Sequence, residues 1–155
     1  MDTTVICAAL EAMYQDNRKL IAGLSATDMQ RPTPNPKWNV RQLAAHIAED
    51  AGAMLSVGRL LARGKNAKAP DFVVNLANWW TLRKYGKARP TDLLLVMDAK
   101  QQQALAWVRG LPSGALSHSG EVSQMGQLTL AEFLVKYPEH SRAHASAIHA
   151  ALARQ

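Results

Sequence analysis

The stretch 127–155, QLTLAEFLVKYPEHSRAHASAIHAALARQ, reads as one amphipathic helix, and the rest of the chain is organised around it. Thr129 and Glu132 form a T-x-x-E capping box at its start. An apolar stripe follows at Leu130, Phe133, Leu134, Tyr137, Ile148 and Leu152. His140 and His144 fall on that stripe, and side chains four residues apart stand on one helix face with Cβ atoms roughly 6 Å apart. Two imidazoles aimed into a core are either paired metal ligands or two buried polar groups that each need a partner. Pro138, two residues before His140, removes a hydrogen bond and clashes with the Leu134 carbonyl. It predicts either a kink or a helix restart with Pro138 in the first turn.

Working outward, the chain of 155 residues is 48% hydrophobic and 19% charged, which predicts one globular domain spanning residues 1–155. No apolar run approaches the roughly 18 residues of a membrane span, and no basic-then-apolar leader opens the chain. The single cysteine, Cys7, excludes an internal disulfide framework and fits a reducing cytoplasm. Net charge is +6, with Arg59, Arg63, Lys65, Lys68, Arg83, Lys84, Lys87 and Arg89 set against Asp71 alone between residues 59 and 89. The reading adopted for this stretch is a solvated rim, with no nucleic acid and no membrane as partner.

A first helix is expected from about Thr4 to Ala22, capped by Asp2 or Thr3 and stopped by Gly23. Asn17 lies on its buried stripe and needs a partner there. Three prolines between 32 and 36 then force an extended connector. Asn39 caps a second helix with Trp38 before it as a hydrophobic staple, and Val40, Leu43, Ile47, Met54 and Leu55 mark its core face. His46 and Asp50 border that face, and Glu49 points round toward solvent. Phe72, Val73, Leu76, Trp79, Trp80 and Leu82 suggest a shorter helix. A third long helix begins around Pro90 with Thr91 as cap and stops at Gly110, and 113–127 reads as a loop with room for a small hairpin. Nothing alternates with period two for long enough to force a sheet. The fold class is therefore all-α, a four-helix bundle with an additional short helix between helices 2 and 3.

Three of the five histidines, His46, His140 and His144, thus face the proposed core from two helices. Convergence from facing helices is how bundles build metal sites. The alternative is three separately satisfied core histidines. Asp50 is either a fourth ligand or the acceptor for the second ring N–H of a ligand histidine. His149 points elsewhere, and His118 sits in the loop. No phosphate-binding loop, dinucleotide fingerprint, C-x-x-C or G-x-S-x-G is present, and the residues assign no catalytic side chain.

Trp38-Asn39-Val40-Arg41-Gln42-Leu43-Ala44-Ala45-His46-Ile47-Ala48-Glu49 resembles the W-[ST]-x-R-[DE]-x-x-x-H-[LI] helix of the DinB/YfiT-like metalloenzymes. The stretch 128–148, with His140 and His144, is similar to that family's closing helix and its H-x-x-x-H. Asn39 replaces Ser or Thr and still caps; Gln42 replaces an acid, a small loss of favourable charge at the helix start. The resemblance implies a four-helix bundle, commonly a homodimer, in which His46, His140 and His144 bind a divalent metal, zinc or nickel. It also implies a thiol-dependent S-transferase or isomerase that uses a low-molecular-weight thiol on a small-molecule substrate. On that reading Trp79 and Trp80 wall the substrate pocket, and Arg83, Lys84 or Arg89 meets cofactor carboxylates. The rival reading is a protein of the same fold that sequesters a small molecule without chemistry.

Overall fold

The computed structural model describes residues 2–36 and 38–154. Five helices follow in order: α1 (Thr3–Ala22), α2 (Val40–Leu61), α3 (Asp71–Lys84), α4 (Pro90–Arg109) and α5 (Leu130–Leu152). An antiparallel hairpin, β1 (Ser119–Val122) and β2 (Gly126–Thr129), precedes α5. Both α1 and α2 pack against α4 and against α5. The ring order is therefore α1–α4–α2–α5, with the consecutive helices α1 and α2 on one diagonal. This is a four-helix bundle with α3 as the short extra helix.

Local chemistry explains where the helices begin. The Asp2 carboxylate accepts from the Thr4 N–H at 3.2 Å, so Asp2 rather than Thr3 caps α1. At α2 the Gln42 N–H donates to Asn39 Oδ1 and Gln42 Oε1 accepts from the Asn39 N–H, both at 2.9 Å. Gln42 thus closes a capping box with a neutral amide where the family motif has an acid. Thr129 and Glu132 close the expected box at α5. The start of α4 differs from expectation. Arg89 is the capping residue, Pro90 holds the first helical position, and the Asp92 carboxylate accepts from the Arg89 N–H at 2.9 Å. Proline's fixed φ suits that position, which moves the boundary two residues ahead of Thr91. Helix α5 runs unbroken through Pro138, so it is an interior proline and not a restart. The helix ends at Leu152, and Gln155 lies outside the described residues.

The core splits into two apolar clusters. One gathers Leu10, Met13, Met54, Leu61, Val108 and Leu134. The other gathers Ile21, Val40, Leu43, Leu93, Met97 and Ile148. Each side chain of this size stabilises the fold by about 1.5–3 kcal/mol on burial. On α1, α2 and α5 the boundary between clusters falls at buried polar residues: Asn17, Asp50 and Ser141. The Asn17 amide donates to Ser141 Oγ at 2.8 Å, which supplies the partner that Asn17 required. A polar belt therefore crosses the middle of the bundle.

Gly58 on α2 lets α4 come close. A Cβ there would stand 2.6 Å from Trp107 Cη2. Gly58→Ala is expected to destabilise the protein by about 1–3 kcal/mol through overpacking against a stiff ring. A urea melt unchanged from wild type would contradict this.

Helix α3 meets the bundle chiefly through α2. It turns Phe72, Leu76, Trp79 and Trp80 outward, each more than half exposed. At its end, Glu49 of α2 accepts from the Tyr85 hydroxyl and from Lys84 Nζ, and lies 3.3 Å from Lys100 Nζ. Glu49 is therefore a tie between α2, the end of α3 and α4, and not the solvent-facing acid expected from its position on the wheel. No described helix is long and apolar enough to cross a membrane.

Candidate metal centre

The site lies where α2 and α5 meet at the polar belt. His46 sits two turns into α2, and His140 and His144 occupy successive turns of α5. One ring nitrogen from each lies within 4.8 Å of the other two. His140 Nε2 and His144 Nε2 are 3.1 Å apart, and the His46 ring centroid lies 4.7 Å from that of His144 and 5.9 Å from that of His140. Two nitrogens on a tetrahedral zinc are about 3.4 Å apart, so the three rings need close only slightly around an ion.

Asp50 stands one turn after His46. Its Oδ1 is 3.5 Å from His46 Nε2, and its Oδ2 is 4.0 Å from His140 Nε2. The carboxylate thus faces the same nitrogens that converge. Among the described residues, His46 Nε2 and Asp50 Oδ2 are buried without a hydrogen-bond partner. An orphaned imidazole nitrogen and an orphaned carboxylate oxygen aimed at one point suit a divalent cation well, with neutral nitrogen donors and one carboxylate oxygen. The Tyr14 and Tyr137 hydroxyls lie close to each other and to Asp50, and burial together with that carboxylate pushes both above the usual phenol range.

Electrostatics keep the rings ready to bind. Burial, reinforced by the neighbouring imidazoles, lowers His46 to about 4, and burial with His140 beside it lowers His144 to about 4. Burial also lowers His140, although that side chain is 53% exposed and forms the open side of the site. Burial raises Asp50 to about 7. Imidazole must be neutral to bind a metal, and His46 and His144 stay neutral well below the ordinary histidine range. Acid is therefore expected to strip a bound cation only below about pH 5. Dialysis at stepped pH with elemental analysis checks this; half-loss at pH 6.5 would count against it.

Above this floor lies a cavity of about 470 Å³. Ala53 and Val57 line it one and two turns beyond Asp50 on α2. Trp38 lines it too, its ring parallel to that of His144 at 6.3 Å and edge-on to His46 at 5.1 Å. The proline-rich connector fixes this tryptophan: the Trp38 carbonyl accepts from the Thr33 N–H at 3.1 Å and from the Thr33 hydroxyl at 2.8 Å. The far wall combines Ala67 and Ala69 from the loop before α3 with residues 122–125 of the hairpin. The two segments are joined by backbone, since the Ala67 N–H donates to the Glu121 carbonyl at 2.8 Å and the Ser123 N–H donates to the Ala67 carbonyl at 3.3 Å. Gly120 permits this approach, because a Cβ there would stand 2.5 Å from the Lys65 carbonyl oxygen.

The structure therefore brings together His46, His140, His144 and Asp50, as their spacing suggested. It does not bring Trp79 and Trp80 to the cavity. Both stand on the outer face of α3, and the aromatic wall is Trp38, which the sequence marked as the residue ahead of the α2 cap and the first of the family motif and not as a pocket residue. Arg83, Lys84 and Arg89 do not line it either. The Arg83 guanidinium lies over Trp79, Lys84 pairs with Glu49, and Arg89 pairs with Asp92. His149 is exposed, and His118 Nδ1 meets the Ala62 carbonyl at 2.6 Å, so neither joins the centre.

A model of the DinB superfamily matches residues 9–148. The chain belongs to the DinB superfamily. Among solved structures, this DinB chain is similar to YfiT from Bacillus subtilis, described as a probable metal-dependent hydrolase with an unusual four-helix bundle topology. They share 19% identity at a TM-score of 0.78, covering 95% of this chain and 83% of YfiT. It is also similar to the mycothiol-dependent maleylpyruvate isomerase, with 14% identity, a TM-score of 0.77 and 97% of this chain covered. A point mutant of that isomerase aligns equally well, at 15% identity and a TM-score of 0.78. The DinB chain spans 62% of the isomerase's length. These likenesses show the fold. No curated protein sequence matches the chain.

Proposed function

We propose that this DinB protein is a divalent-metal-dependent enzyme that transfers a low-molecular-weight thiol to a small electrophile, or isomerises a substrate with the help of such a thiol. The observation that carries the metal part is the convergence of His46, His140 and His144 beside an orphaned Asp50 carboxylate. The thiol part rests on superfamily membership and on the similarity to a mycothiol-dependent isomerase. Zinc or nickel suits a site of three imidazoles.

A divalent cation held there supplies Lewis acidity, which makes a thiol or water at its open positions a better nucleophile at neutral pH. The chain's own residues do the rest. His46 and His144, held neutral by burial, present lone pairs. Asp50 faces the converging nitrogens and so fits a fourth ligand better than an acceptor for the rings' other N–H. Trp38 and the aliphatic wall exclude water from the deep side, while half-exposed His140 leaves an approach from solvent. The same reading takes the protein as a cytoplasmic homodimer acting on a small molecule, without nucleic acid or membrane, and its single cysteine suits a reducing compartment.

Free-thiol loss in the presence of a small electrophile tests this on zinc- and nickel-loaded protein. Conjugation is expected to fall to the uncatalysed rate on chelation and to return when the metal is restored. A loaded protein inert toward thiol and hydrolytic substrates alike would favour sequestration without chemistry.

A further inference from the structure

We infer that the cavity over the three histidines takes a substrate with one metal-seeking head and an uncharged, largely apolar body, and rejects molecules with a second anionic group at the far end. This rests on the reading of the floor as a metal site and adds the chemical class of its ligand.

The walls carry the inference. Past the floor, Trp38, Ala53, Val57, Ala67, Ala69 and Val122 present apolar surface, and no lysine or arginine lies among the described lining residues. The polar groups of the far wall are spent on one another. The Ser123 hydroxyl accepts from the Ala69 N–H at 2.7 Å and donates to the Ala69 carbonyl at 3.1 Å. Lys68, between the two lining alanines, places its ammonium 2.6 Å from the Glu121 carboxylate. What remains at the lip is Met125 and the neutral amide of Gln124, a residue held in the left-handed region at φ 64°. A carboxylate brought against the alanines and Val122 would lose water and meet no lysine or arginine among the described lining residues, which is costly. An apolar body gains by burial there. A cavity of about 470 Å³ is of small-molecule size.

Benzyl mercaptan and para-(mercaptomethyl)benzoate share a head and a body and differ by the far carboxylate. Titrated by calorimetry into zinc-loaded protein, benzyl mercaptan is expected to bind at least roughly tenfold tighter. A Met125→Arg variant, which places a cation at the lip, is expected to narrow or reverse that ratio. Equal or tighter binding of the carboxylate by the wild type would overturn the inference. Toluene titrated into metal-free protein separates the two layers. It should shift the Met125 methyl resonance, assigned with Met125→Leu, whether or not a cation ever binds. An unmoved Met125 methyl overturns the apolar cavity. A shift by toluene with no binding of either thiol to zinc-treated protein places the failure in the metal reading and upholds the apolar wall.

Discussion

His144→Ala is expected to lose divalent-cation affinity by roughly 100-fold or more while keeping its helical fold. The two effects separate because the ring has few other duties. His144 Nε2 lies 3.1 Å from His140 Nε2, and its ring stacks at 6.3 Å on Trp38, but it is not part of either apolar cluster. Removing it takes away one of three nitrogen donors and leaves the core untouched. Elemental analysis of the purified variant beside wild type reads the first effect, and circular dichroism reads the second. His149→Ala, one turn on and exposed, is the control and should retain the ion. Metal content equal to wild type in His144→Ala would remove the ground for a histidine-bound cation.

Asp50→Asn is expected to act in opposite directions on the two forms of the protein. With a cation, loss of the carboxylate oxygen facing it should weaken binding by at least about 10–100-fold. Without a cation, the buried carboxylate is a burden. Its folded pKa is raised, to about 7 from an ordinary 3.8, so its favourable contribution is present below pH 3.8 and is lost as pH rises through about 7. His46 and His144 have depressed folded values, so their contribution is present above pH 6.5 and is lost as pH falls through about 4. The opposing slopes partly cancel in the metal-free wild type between about pH 4 and 7. In Asp50→Asn only the histidine slope remains, so thermal stability should climb with pH across that window. At pH 8 the metal-free variant should exceed metal-free wild type by an amount on the order of 1–3 kcal/mol, the amide being easier to bury than the charge. Parallel melting curves for the two proteins at every pH would refute this account of Asp50.

Much of this site was legible because its chemistry is carried by side chains that stand out. Thr129 with Glu132, and Asn39 with Trp38 before it, announce two helix starts, and three imidazoles fall at core-facing positions of the helices that follow. Asn17 and Asp50 were legible as polar residues on or beside buried stripes, although Ser141 as the partner of Asn17 was not. The walls were illegible for a physical reason. Ala67, Ala69 and Val122 form the far side through backbone hydrogen bonds, which any residue can make, so no side-chain type marks them. Trp79 and Trp80 misled because a large aromatic pair signals burial by its size, whereas α3 packs on α2 and turns that pair outward. Glu49 misled because a helical wheel knows its own helix only, and the end of α3 and the middle of α4 reach over that face.

The ring order of the bundle has a bearing on how an ion and the chain find each other. His46 comes from the first third of the sequence and the H-x-x-x-H from its last turns, and α3, α4 and the hairpin are all threaded between them. No local fragment holds more than two of the three nitrogens. Coordination by all three would therefore be completed only after α2 and α5 have met, and a cation so held is expected to slow the opening of the bundle more than it hastens its closure.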